Sequence, residues 1–97
     1  YLKTYSLAFH VEALKEWHEL DGSIKEQFKK ALAKRQQNPH VPKARLSQEL
    51  HNCYKIKLQA TGYRLVYEVI DMTLVIEVIA VGRRSEFEVY KKATKRR

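Results

Sequence analysis

Residues 53–82 read CYKIKLQATGYRLVYEVIDMTLVIEVIAVG. Three runs rich in β-branched and aromatic residues, 53–59, 63–70 and 74–81, are separated by breaks at Thr61-Gly62 and Asp71-Met72-Thr73. Runs of this length, joined this closely, predict an antiparallel meander. Period-two alternation puts Tyr54, Ile56 and Leu58 on one face of the first run and Lys55 and Lys57 on the other. A hairpin loop of even length sets Leu58 opposite Tyr63, Ile56 opposite Leu65 and Tyr54 opposite Tyr67. That register makes one apolar face continuous, and an odd slip breaks it. It also sets Lys57 directly opposite Arg64, with Lys55 two residues along on the same face. Like charges directly opposed across a sheet cost stability. Two readings follow: a face that binds an anion, or an ordinary solvated face of an antiparallel sheet.

Upstream, the period changes twice. Residues 4–9 alternate, with Tyr5, Leu7 and Phe9 on one face, and predict a half-buried strand. From His10 to Leu20 the apolar residues Ala13, Leu14, Trp17 and Leu20 recur at helical spacing until Asp21-Gly22 interrupts them. Ser23 and Glu26 have the spacing of a capping box, opening a second helix with Ile24, Phe28, Ala31 and Leu32 as its apolar stripe. The short link predicts a helical hairpin. Asn38-Pro39 ends the second helix, and Pro42 is expected to keep the chain extended. Downstream, Ser85 and Glu88 again have capping-box spacing, ahead of a short terminal helix with Phe87, Tyr90 and Ala93 inward. The order β-α-α-β-β-β-α defines an α+β fold, with helices packed on one mainly antiparallel sheet.

Composition narrows the function. The 97 residues are expected to form a single domain over 1–97. A hydrophobic fraction of 44% supports a packed core and argues against disorder. Nineteen lysines and arginines against eleven acids leave a net charge of +8, which points to a polyanionic partner, either nucleic acid or an acidic protein. No apolar run approaches the roughly 18–20 residues that span a bilayer, and residues 1–10 lack the apolar stretch of a signal peptide. Cys53 is the single cysteine, so a disulfide framework is excluded. The expected setting is the reducing cytoplasm. His10, His18, His40 and His51 show no metal-ligand spacing and are expected at the surface, with no metal bound. The positive charge is concentrated. Residues 83–97 carry seven bases against Glu86 and Glu88, and residues 43–59 carry four against Glu49. Residues 10–26 are acidic instead, with five acids against Lys15 and Lys25.

ALKEW at 13–17, CYKIKL at 53–58, GYRLVYEVID at 62–71, VGRR at 81–84 and EVY at 88–90 together resemble the RelE family of toxins, over nearly the whole chain and in the same element order. The resemblance implies a fold like that of a compact microbial ribonuclease. It also implies a metal-independent, cofactor-free endonuclease that enters the ribosomal A site, cuts the messenger RNA there and so inhibits translation. A cognate RelB-like antitoxin that wraps the toxin and displaces or blocks the terminal helix is implied as partner. By position within the shared motifs, Lys55, Lys57, Arg64, Arg84 and Tyr90 are the implied catalytic residues. Arg83, Lys43, Arg45 and Lys91 are the further candidates for phosphate contact. Two departures stand out: Leu46-Ser47-Gln48 replaces a Leu-x-Gly turn, and Ser85-Glu86 replaces an acidic-basic pair, removing one positive charge.

These residue types suit a particular chemistry. RNA can be cleaved by attack of a 2′-OH on its own 3′ phosphate. That requires removal of the 2′ proton, stabilisation of the extra charge at phosphorus and protonation of the leaving 5′ oxygen. A lysine among other cations can lose its proton and take up the first task. Arginine suits the second task, and a tyrosine can stack on a base or orient the phosphate. Such a set is weak in acid–base groups and relies on a ribosome to orient the codon. Two rival readings remain: a non-catalytic RNA- or ribosome-binding domain held by phosphate contacts, and a same-fold toxin of the ParE type, which acts on DNA gyrase.

Overall fold

A computed structural model describes residues 4–46, 50–83 and 86–96, without the side chains of residues 86 and 87. The elements are β1 (Ser6–Phe9), α1 (Val11–His18), α2 (Gly22–Gln37), a 3-10 turn (Pro42–Ala44), β2 (Cys53–Lys57), β3 (Arg64–Ile70), β4 (Val75–Gly82) and α3 (Glu86–Arg96). The sheet order is β1-β4-β3-β2. The β2-β3-β4 meander is antiparallel as expected, and β1 joins it parallel to β4, so the sheet is mixed. The observed register pairs Tyr54 with Tyr67, Ile56 with Leu65 and Lys57 with Arg64. Leu58 N–H donates to Tyr63 O at 2.9 Å and Gly62 N–H to Leu58 O at 2.8 Å, closing the hairpin. Gly62 turns it at φ 79°, where a side chain is strained.

The alternation in the strands sorts the core into two clusters, one on each face. Tyr54, Ile56, Leu65, Tyr67, Val69, Ile76, Val78 and Val81 face Ala13 and Trp17 of α1 and Ile24, Phe28 and Leu32 of α2. Cys53, Val66, Ile79 and Ala80 face Val89 and Ala93 of α3. A β-bulge in β4 makes this second cluster possible. Val66 pairs with Ala80 but Tyr67 pairs with Val78, so the extra residue Ile79 turns to the α3 side beside Ala80. Gly82 lets α3 come close: a Cβ there would stand 3.1 Å from a Val89 methyl.

Several local expectations are corrected. The capping box at Ser23 does not form, because α2 starts earlier, with Asp21 as N-cap. Asp21 O accepts from Lys25 N–H at 3.0 Å, and Ser23 Oγ donates to Asp21 Oδ2 at 2.7 Å. The capping box expected at Ser85 lies outside the described residues, as does the Phe87 side chain. Pro42 opens a 3-10 turn rather than an extended segment, with its fixed φ suited to the first turn position. Leu14, placed in the apolar stripe of the first helix, is 38% exposed; α1 is short and buries Ala13 and Trp17 instead. Leu7 is likewise exposed, because β1 is an edge strand. His10 caps α1, its Nδ1 accepting from Glu12 N–H at 3.1 Å. His40 lies between Tyr54 Oη at 3.0 Å and Asp71 Oδ1 at 2.8 Å. Tyr5 Oη also donates to Asp71, at 2.6 Å, and these two bonds hold the Asp71 carboxyl below the usual carboxylate range.

One charged group joins the two faces. β1 is only four residues long, and its last tie to β4 is His10 N–H to Val78 O at 2.8 Å. Beyond that point side chains serve the open edge of β4. Glu16 of α1 accepts from Val81 N–H at 3.1 Å, and Arg96 of α3 donates to Ile79 O at 3.0 Å. The same Glu16 carboxylate takes a bidentate pair from Arg96, at 2.8 and 3.0 Å, and Lys92 Nζ at 2.7 Å. Helices from opposite faces of the sheet are thus tied around its edge. Burial acts to raise the Glu16 carboxyl, but the bonds from Arg96, Lys92 and Val81 outweigh it and hold the group below its ordinary value.

Since Glu16 binds its proton more weakly folded than unfolded, its contribution is complete above the ordinary carboxylate range, about pH 4–5. It is lost as pH falls through the folded-state value. Glu16→Gln is expected to cost roughly 1.5–3 kcal/mol in urea unfolding at pH 7 and to flatten the loss of stability on acidification. An unchanged acid limb in Glu16→Gln would show that the clamp contributes nothing.

Candidate active site

The structure brings four of the five implied catalytic positions to the α3 side of the sheet. Lys55 and Lys57 alternate with Tyr54 and Ile56, so they lie on the face opposite α1 and α2. Lys57 is exposed and directly opposite Arg64, and Lys55 is half-buried opposite Val66. Arg64 Nη1 donates to Gly62 O at 3.0 Å, which folds the guanidinium over its own hairpin turn. Tyr90 is half-buried on α3 and packs against the cluster that contains Cys53 and Val66, the neighbours of Lys55 along and across the strands. Arg84, the fifth position, lies outside the described residues, as do the Ser47-Gln48 part of the departing turn and Ser85.

The further phosphate candidates are spread around this face. Arg83 is exposed at the end of β4, with its guanidinium carbon 5.8 Å from the centre of the Tyr63 ring. That distance is within the range of a cation–π contact. A cavity of about 310 Å³ adjoins it, lined by Leu20, Tyr63, Gly82, Arg83, Glu88 and Lys92 among others. Lys43 and Arg45 are exposed before β2, and Arg45 bridges to Tyr54 of that strand. Lys91 is exposed on α3. Cys53 and Trp17 are core residues, as their surroundings in the sequence indicated. Tyr67 is fully buried, and its hydroxyl donates to Pro39 O at 2.8 Å and accepts from Arg35 at 2.8 Å. Among the described residues no group of three or more His, Cys, Asp or Glu is placed to hold a metal ion. No described helix is long and apolar enough to cross a membrane.

Sequence reasoning missed Glu16 and its partners Lys92 and Arg96. They set where α3, and with it Tyr90, sits on the sheet. ALKEW carries Glu16 in plain view, but nothing in the local pattern says that its partners lie 76 and 80 residues away.

A basic sheet face flanked by a tyrosine-bearing helix has the charge and the stacking group that suit a phosphate chain. The family described as "ParE toxin of type II toxin-antitoxin system, parDE" matches residues 7–87. The chain belongs to this ParE/RelE family of type II toxins. Its full-length likeness is to RelE proteins. It is 51% identical over 92 residues to a putative RelE-like toxin protein of Escherichia coli, covering 95% of this chain and 96% of that one. It is 47% identical, with the same coverage, to the mRNA interferase toxin RelE of E. coli. Among solved structures, a free double-arginine mutant of E. coli RelE superposes with a TM-score of 0.88 at 45% identity, covering 96% of this chain and 97% of that one. RelE in the intact E. coli RelBE toxin–antitoxin complex superposes with a TM-score of 0.80 at 44% identity, covering 84% and 99%.

Lys57 directly opposite Arg64 is a register in which like charges are expected to cost stability. Lys57→Gln removes a like-charge cross-strand pair and is expected to raise folding stability by a few tenths of a kcal/mol, up to about 1. It is also expected to weaken RNA binding. A urea midpoint that falls, with an unchanged slope, would show that Lys57 is there for the fold.

Proposed function

We propose that this protein is a ribosome-dependent endoribonuclease toxin that cuts messenger RNA in the ribosomal A site and is neutralised by a RelB-like antitoxin. Its place of action is the cytoplasm, where translating ribosomes are. The observation that carries this reading is the cross-strand placement of Lys57 opposite Arg64, with Lys55 on the same face and Tyr90 packed beside it. The likeness to a protein named an mRNA interferase, at 47% identity over 95% of the chain, supports it.

In this reading the message lies on the sheet face, with the scissile phosphate between the β2–β3 cations and α3. Lys55 or Lys57, when neutral, accepts the proton of the attacking 2′-OH. The 2′ oxygen forms a bond to phosphorus as the bond to the 5′ oxygen breaks, leaving a 2′,3′-cyclic phosphate and a 5′-OH. Arg64 and the lysine that stays charged stabilise the pentacovalent phosphate. Arg84 neutralises the charge on the leaving 5′ oxygen, which takes its proton from Arg84 or from water, and Tyr90 stacks on a base or orients the phosphate. Arg83, Lys43, Arg45 and Lys91 hold backbone phosphates. Because lysine and arginine are poor partners for general acid–base work at neutral pH, orientation by the ribosome supplies much of the rate. Naked RNA is therefore a poor substrate.

The decisive experiment maps cuts by primer extension on ribosomes stalled at a defined codon, with the same naked RNA in parallel. Cuts confined to the A-site codon are expected. Ribosome binding without any cut would favour the non-catalytic binder. Arg64→Ala is expected to lower single-turnover cleavage roughly 100-fold or more, and Lys55→Ala, Lys57→Ala and Arg84→Ala are each expected to lower it strongly. Near-wild-type cleavage in all four would overturn the assignment. In the complex with its antitoxin, hydrogen exchange around Arg84 and Tyr90 is expected to change. Unchanged exchange there would exclude inhibition through the terminal helix.

A further inference from the structure

We propose that the outer face of α2 is a second phosphate-binding surface, one that grips folded RNA of the ribosome while the sheet face takes the message. This rests on the ribosome-directed reading above. Its starting point is the distribution of charge. Residues 27–67 contain nine lysines and arginines against a single acid, Glu49. They build the later part of α2, the connection to β2, β2 itself and the first half of β3. The sheet order puts β2 at the edge, with β3 between it and β4. The acids of residues 10–26 belong instead to α1 and the start of α2, and α1 packs against β4. The β2 edge is therefore one basic region of the molecule, separate from the basic stretch of residues 83–97.

Lys30 and Lys34 are the exposed cations of α2 in that region. Four residues apart, they lie on one helix face, a spacing at which like charges destabilise the helix. Lys29, by contrast, is answered by Glu26 at 3.5 Å, whereas no carboxylate stands within ion-pair distance of Lys30 or Lys34 among the described residues. Lys34 gains from the helix C-terminus, but Lys30 stands two turns from the end, beyond the reach of that effect.

The two lysines edge a groove of about 410 Å³ between α2 and the end of β2, completed by Gln27, Ala31, Arg35 and Leu58. Arg35 is fixed as a wall of this groove by its bonds to Tyr67 Oη at 2.8 Å and Lys55 O at 3.3 Å. Leu58 follows Lys57 directly, so the groove and the basic sheet face lie on either side of one edge strand. A single strand held on the sheet face does not fill the groove behind it.

Ala31 and Leu58 give the groove an apolar floor, but its rim of Lys30, Lys34 and Arg35 is cationic, and that charge favours a polyanion as occupant. Among the described residues the exposed large hydrophobic side chains are Leu7, Val11, Leu14 and Met72, none of them on α2. A protein partner needs apolar or aromatic anchors to bind tightly, whereas a phosphate backbone is bound by charge alone.

The test is the double variant Lys30→Gln/Lys34→Gln, which keeps helix propensity, compared with Lys15→Gln in the acidic stretch of residues 10–26. Binding to ribosomes programmed with a defined message is measured across a salt series, and cleavage is measured at saturating ribosome. The double variant is expected to bind roughly tenfold more weakly near physiological salt, with a log–log salt slope reduced by about 1.5. Cleavage at saturation is expected to stay at the wild-type rate. Ribosome binding and slope equal to those of Lys15→Gln would overturn the proposal. So would weakened antitoxin binding with ribosome binding intact, which would assign the face to a protein. Wild-type toxin that binds ribosomes but leaves the message whole would overturn the nuclease reading instead, and the same binding curves would still judge this surface.

Discussion

The architecture depends on how the open edge of β4 is closed. β1 covers only the first part of that strand, so the backbone groups of Ile79 and Val81 face no neighbouring strand. An unmet backbone group near the core costs about as much as a lost hydrogen bond. Glu16 and Arg96 meet these groups and then meet each other, with Lys92 as a third member. Because Glu16 stands on one face of the sheet and Arg96 on the other, closing the edge also fixes α3 to the body of the protein. Among the described side chains of α3, Val89 and Ala93 are the deeply buried ones. The ionic clamp ties that helix, which carries Tyr90, to α1.

The basic face holds like charges close together. Lys57 opposite Arg64, and Lys30 above Lys34, are pairs that a fold selected for stability alone would separate. The core carries no such conflict, since no polar or charged residue is buried among the described residues. The cost is thus kept at the surface, where water screens it and a polyanion can repay it. A basic face of this kind attracts RNA phosphates and acidic peptides by the same electrostatics.

The meander and its register were legible in residues 53–82 because strand alternation and hairpin parity are local. Once Leu58 must lie opposite Tyr63, the positions of Lys57 and Arg64 follow without knowledge of the rest. The stripe Ile24, Phe28 and Leu32 was legible for the same reason, since a helix repeats its facing every three to four residues. Local signals failed where a neighbour decided the outcome. Ser23 looked like a cap, but the chain turned into helix two residues sooner, at Asp21. Leu14 looked like core, but α1 is too short and too near the edge of the sheet to bury it.

The sequence by itself determined the elements, the pairing of β2 with β3 and the meeting of cations on one sheet face, because these depend on periods of two and of three to four residues. Only the tertiary structure decided that β1 lies parallel beside β4, that α3 takes the opposite face from α1 and α2, and that Glu16 joins them. Those outcomes rest on contacts between segments as much as 80 residues apart. No periodicity encodes such contacts; they form because the packed sheet leaves an edge that needs both a donor and an acceptor.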